Sequence, residues 1–197
     1  MTTVTSSNGY KIRPMIEADQ SFVTDCLKDF PIGSNTYLQR ITEFSHMLYV
    51  TEGYTESKVK AGNQCSITLM LEKTDGTKLG FQHSDFNNKI VHVKMGVLHP
   101  DYRGKGHATA NLMLGGELAY NHLGCSGSVM ELIDTYENQL ERWRPDLATD
   151  ETTRTTDGSK FGDGQNYNLI KVTATAAEHE AHRAAHSTWG SVTYTIS

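Results

Sequence analysis

Apolar positions along this chain repeat with a helical period in some stretches and a two-residue period in others, and the two kinds interleave. Tyr10 to Ile16 is a short extended segment that leads into the acidic run Glu17-Ala-Asp-Gln20. Phe22, Val23, Cys26, Leu27 and Phe30 then recur at helical spacing, and Pro31-Ile-Gly33 ends that run. A second helix is expected from about Ser34 to Tyr49, with Tyr37, Leu38, Ile41, Phe44, Met47 and Leu48 along one side. Residues 52–63 read as a loop. Cys65 to Leu71 alternates, Lys73-Thr-Asp-Gly-Thr77 turns, and Lys78-Leu-Gly-Phe81 returns, which predicts a β-hairpin. A further strand runs from Lys89 to Leu98 and contains Gly96. Glycine within a strand marks a bulge, or a place where something approaches the backbone closely.

After His99-Pro100-Asp101 stops that strand, a helical pattern extends from Gly106 to about His122, carrying Ala108, Leu112, Met113, Leu118 and Ala119. Ser128 to Ile133 reads as a strand, and Asp134 is placed to cap a helix from Tyr136 to Trp143. Residues 145–166 are almost without apolar side chains and read as a polar loop or flap. Tyr167 to Thr175 reads as a strand, Ala176 to His186 as a helix, and Gly190 to Ile196 as a last strand. Strands and helices alternate, so the expected class is α/β or α+β around a mixed sheet.

Composition narrows the function. The chain has 197 residues, 37% of them hydrophobic and 21% charged, in the range of a globular protein and best read as one domain, 1–197. A chain this long buries about 70% of its unfolded surface and folds without disulfides or metals. Its 18 Lys+Arg against 23 Asp+Glu give a net charge of −5. That argues against a nucleic-acid binder, whose domain is normally basic. Cys26, Cys65 and Cys125 are widely spaced with no C-x-x-C, which points to reduced thiols and a cytoplasmic setting. Neither a basic leader nor an 18-residue apolar run is present, so no membrane association is expected.

One segment carries the chemistry: Leu98-His-Pro-Asp-Tyr-Arg-Gly-Lys-Gly-His-Ala108. It is a strand end, a turn with two glycines and a helix start, where backbone N–H groups converge on the positive end of a helix dipole. Arg103 and Lys105 add charge, and the whole suits a pyrophosphate. It fits neither the Walker motif nor the dinucleotide fingerprint. The run Arg103-Gly104-Lys105-Gly106-His107-Ala108 resembles the Gln/Arg-x-x-Gly-x-Gly/Ala motif of the GNAT superfamily of N-acetyltransferases. Ile12-Arg13-Pro14 with Glu17-Ala-Asp19, and the order of elements, are similar to that family's first half.

The resemblance implies an α/β/α sandwich around a mostly antiparallel seven-stranded sheet, with acetyl-CoA as co-substrate and an amine as acceptor. It also implies that residues 103–108 hold the pyrophosphate, while Gly96 and Leu98 hydrogen-bond the pantetheine arm. His92, on the strand before the motif, is the first candidate for general base. Glu131 and Asp134, near the end of the next strand, are the alternatives. The family's Asn-x-x-Ala-x-x-x-Tyr, which supplies a general acid, is not matched. With Asp134 as its first position, Glu137 and Glu141 stand where alanine and tyrosine are expected. The acid is therefore unassigned. A GNAT-like fold kept as a non-catalytic subunit of a larger assembly is the second reading, and a homo-oligomer is compatible with either. His179, His182 and His186 share one helical face but do not form a zinc-binding H-E-x-x-H. The cysteines read as core or surface thiols with no partner base.

Overall fold

The computed structural model describes residues 2–29, 36–133, 153–156 and 168–197. Strands β1 (Val4–Ser6) and β2 (Tyr10–Pro14) lead into helix α1 (Gln20–Leu27). Helices α2 (Thr36–Thr42), α3 (Phe44–Glu52) and α4 (Glu56–Lys60) follow. Strands β3 (Cys65–Lys73), β4 (Lys78–Asn87) and β5 (Ile90–Leu98) then form a meander that ends at α5 (His107–Gly116). The rest comprises β6 (Gly127–Ile133), β7 (Thr153–Thr156), β8 (Asn168–Thr175), α6 (Ala176–Ala185) and β9 (Tyr194–Ile196).

These strands make one sheet in the order β7-β8-β6-β5-β4-β3-β2-β1-β9. Only the β5–β6 pairing is parallel. The mixed, mostly antiparallel architecture is the one expected, but the described residues hold nine strands where seven were predicted. The two additional strands are Val4–Ser6 and Thr153–Thr156. The second lies inside the segment read as a polar loop and pairs with β8 from Thr153↔Lys171 to Thr156↔Asn168. The helix expected over 136–143 and the cap Asp134 lie outside the described residues.

Both faces of the sheet are covered. On β3, Leu69 and Leu71 join a core containing Ala110, Met113 and Leu114 of α5, whereas Met70 joins Val23 and Cys26 of α1 and Met47 of α3. A strand buried on both sides reads as a continuous apolar run, which is how Leu69 to Leu71 looks. The expected helix 34–49 is in fact two. Glu43 takes an extended conformation (φ −68°, ψ 121°) that separates α2 from α3. The loop expected at 52–63 contains α4, whose Val59 is buried among the α5-side residues.

Candidate functional site

The site begins with a bulge. Ser84 pairs with Val93 and His83 with Met95, leaving Lys94 as the extra residue of β5. The bulge thus lies at Lys94, not at Gly96 as the glycine suggested. Its effect is a change of phase. Val91 faces the α5-side core, whereas Met95 and Val97 face the α1 side, although an unbroken strand would put all three on one face.

At the same level the sheet divides. β5 and β6 pair from Ile90↔Gly127 to Val93↔Met130, and their ladder ends there. Beyond it β5 stays with β4 while β6 stays with β8. The His99 N–H donates to the Leu79 carbonyl at 2.9 Å. By antiparallel alternation, Val97 and Met95 direct their backbone groups at β4. Those of Gly96 and Leu98 therefore point to the side β6 has left. A Cβ built on Gly96 would meet only the Asn111 amide at 3.8 Å. Packing does not demand glycine there, so unobstructed approach to an open backbone is its use.

At the far end of β5 the chain turns through Pro100–Tyr102 and enters α5. Gly104 (φ +72°) and Gly106 (φ +81°) are left-handed, a conformation that favours glycine. Gly106 is the N-cap of α5, no side chain caps that end, and its first turn carries no acidic residue. The helix start thus presents N–H donors and a positive dipole end uncompensated by its own turn. Arg103 and Lys105 are exposed and fold back on the loop. Arg103 Nε donates to the Leu98 carbonyl at 3.0 Å, and Lys105 Nζ to the Asp101 carbonyl at 2.7 Å. His107 is held by the Tyr10 hydroxyl, 3.1 Å from its Nδ1. Burial, with Lys73 and Lys105 nearby, depresses its pKa below the ordinary 6.5, which favours the neutral ring at neutral pH.

The predicted base lies at the apex of the division. His92 pairs in register with Asp85 on one side and Val129 on the other, one residue before the last β5–β6 pair. Glu131 is the first residue of β6 past that pair, so the two strands bring both positions to the apex. Asp134 lies outside the described residues.

A buried polar chain beside His92 escaped the sequence reading. Thr51 donates to the Met47 carbonyl at 2.7 Å and accepts the Thr68 N–H at 2.9 Å. The Thr68 hydroxyl is 2.9 Å from His83 Nδ1. His83 Nε2 stands 3.8 Å from Asp85, which accepts from Ser66 at 2.7 Å and has Lys94 at 4.0 Å. Burial pushes the His83 pKa down to about 4, so the ring is neutral at neutral pH and makes no ion pair with Asp85. The available signal was Gln82-His-Ser-Asp85, four polar residues continuing a strand that the reading ended at Phe81.

The remaining sequence candidates separate. His179 is buried against Tyr120, with ring centroids 5.0 Å apart, whereas His186 stands at the C-cap of α6. Among the described residues no group of three His, Cys, Asp or Glu side chains is placed to hold a metal ion. Burial raises the Cys26 thiol to about 12 and Cys125 to about 11, so both are unreactive at neutral pH. Among the described residues no helix is long and apolar enough to cross a membrane.

No protein-family model and no curated protein sequence matches the chain. Solved structures do match its shape. Spermidine N-acetyltransferase from Vibrio cholerae in complex with CoA and spermine superposes with a TM-score of 0.65 at 9% identity, over 88% of this chain and 99% of that one. The fold is the GNAT fold. The spermidine/spermine N-acetyltransferase SpeG from the same organism, solved with manganese ions, gives 0.63 at 10% identity over 87% and 95%. A point mutant of that enzyme gives 0.65 at 10% identity over 88% and 97%. Relative to the sequence expectation, this sheet has one strand, β1, inserted beside its β9 edge. β1 pairs with both β2 and β9, and Thr3 and Ser197 exchange backbone hydrogen bonds at 2.7 and 3.0 Å.

Proposed function

We propose that this chain is an acetyl-CoA-dependent N-acetyltransferase that moves an acetyl group to an amine. The observation that carries the proposal is an uncapped helix terminus, rich in N–H donors, placed at the mouth of a divided sheet. Backbone N–H groups from Arg103, Gly104, Lys105, Gly106, His107 and Ala108 take the pyrophosphate, with two lysine and arginine charges nearby. Gly96 and Leu98 offer the pantetheine arm the backbone groups that β6 leaves open, as a third strand would. That a protein of the same fold is known with CoA and spermine supports this assignment.

The reaction needs little else. A neutral acceptor amine attacks the thioester carbonyl, a C–N bond forms and the C–S bond breaks. His92 accepts the proton the amine loses, with Glu131 and Asp134 as alternative bases, and the leaving thiolate is protonated from solvent. Backbone donors beside the Lys94 bulge face the carbonyl oxygen as charge develops on it. Free thiols at all three cysteines suit a reducing, cytoplasmic setting.

Thermal denaturation with and without millimolar acetyl-CoA tests the proposal. Saturation at a hundred times Kd stabilises by about 2.7 kcal/mol, and no shift would sink the enzyme reading. Thiol release against a panel of amines then separates an active enzyme from a non-catalytic subunit that merely binds. His92→Ala should lower the rate about 100-fold and flatten its pH profile. An unchanged profile moves the base elsewhere.

A further inference from the structure

Behind the apex of the division lies a cavity of about 90 Å³, between the sheet, α5 and α6. Val91, Val93, Leu112, Met130 and Val172 make most of its wall apolar. Val93 and Met130 are the last β5–β6 pair, so the cavity reaches the point at which the two strands part. Gly115 and Gly116 line it from α5 without filling it, and the helix continues into a wider π-turn, Glu117–His122, that brings Ala119 and Tyr120 to the wall. Thr109, Ser128, His179 and His182 add polar side chains to the wall, and its one buried amide is already engaged. Gln82 Oε1 accepts from Asn111 at 3.0 Å, and its Nε2 donates to Ser84 at 2.9 Å. Such a wall accepts hydrocarbon without leaving that amide unpaired.

Position along α5 indicates which hydrocarbon. Gly115 is eight residues beyond His107, about 12 Å along the helix from its anion-binding end. That separation is of the order of the arm between a pyrophosphate and a thioester. We infer that the cavity receives the acyl chain of the donor, and that the donor class extends to short aliphatic acyl-CoA thioesters of about four to six carbons. The inference rests on the proposed function for the position of the thioester. The group transfer is otherwise the same: the acyl C–S bond breaks, the C–N bond forms, and the amine proton passes to the base.

The glycines provide the test. A Cβ on Gly116 would come within 2.1 Å of the His179 ring, so Gly116 keeps α5 and α6 together. A Cβ on Gly115 would meet the Gln82 amide at 3.6 and 3.8 Å, an ordinary contact. Gly115→Leu should therefore fill the cavity from the helix side. Calorimetric titration of the whole chain with CoA, acetyl-CoA, butanoyl-CoA and hexanoyl-CoA reads the outcome. Each methylene buried is worth roughly fourfold, so butanoyl-CoA, with two more than acetyl-CoA, should bind about fifteenfold tighter. Gly115→Leu should erase that advantage and leave CoA itself within about twofold. Gly115→Ala, which adds one methyl, should erase part of it and serves if the leucine variant misfolds. Equal affinities along the wild-type series, or a Gly115→Leu loss shared by CoA, would overturn the acyl cavity alone. Failure of every thioester and of CoA to bind would overturn the proposed function along with it.

Discussion

Two junctions in this protein run from a strand into a helix past an arginine, and they treat charge in opposite ways. After β2, Arg13 makes paired bonds to Asp19 at 2.8 Å each and also reaches Glu72. Lys78 lies 2.7 Å from Asp19, Lys11 lies 3.0 Å from Glu72, and the Ile16 N–H donates to Asp19 at 2.9 Å. Both carboxylates are buried. After β5, Arg103 and Lys105 are exposed and donate to the backbone carbonyls of Leu98 and Asp101, with no carboxylate in bonding reach among the described residues. A junction that answers its own charge is structural. One that gathers donors and cations without an acidic residue in its helix start is suited to an anion from outside.

The largest expected effect comes from breaking the closed junction. Asp19→Ala strands Arg13 and Lys78 against a buried surface and should cost about 3–5 kcal/mol in denaturant unfolding. Because none of these bonds involves residues 103–108, CoA affinity of the folded fraction should stay within about twofold. A loss below 1 kcal/mol would mean that this network contributes little. Next comes Gly106→Glu at the open junction. A non-glycine side chain in a left-handed position costs about 1–2 kcal/mol, and a carboxylate there repels the cofactor. CoA affinity should fall about 100-fold by calorimetry, and intact binding would rule out residues 103–108 as the pyrophosphate site.

The smallest effect is a titration. Hydrogen bonds from Arg13 and Lys78 outweigh burial and hold the Asp19 carboxyl at about 2, below its ordinary 3.8. A depressed carboxyl stabilises the fold above its unfolded pKa, and that stability is lost as pH falls through the folded one. About 2 kcal/mol should therefore disappear between pH 4 and 2. Asp19→Asn should flatten that limb, and an equally steep limb in the variant would assign acid lability elsewhere.

Much of the sheet was legible because its strands carry period-two or continuous apolar runs between strong turns. The hairpin of β3 and β4, strands β5, β6 and β8, and helices α5 and α6 all follow from pattern. The strand Val4–Ser6, inserted between β2 and β9, and the edge strand Thr153–Thr156 do not. They are short and rich in threonine and serine, too few residues to show a period in sequence. The break between α2 and α3 hides in a regular apolar spacing, because one residue leaving the helical region does not disturb the pattern around it. The glycine turn before α5 was readable because two glycines next to a helix start are a local feature. His83 and Asp85 were not, since partners brought together across strands have no signature of spacing. The bulge shows this most plainly. Val91, Val93, Met95 and Val97 alternate evenly in sequence, yet they occupy two faces because Lys94 is an added step that only pairing reveals.

That added step makes β5 a shared member of two otherwise separate cores. Its first half is keyed to α5 and its second half to α1 and α3. Its outward backbone, beginning where the key changes, forms one edge of the division. The strand therefore belongs to both layers at once: Met95 and Val97 fasten to the α1-side core the same strand whose outward backbone borders the division.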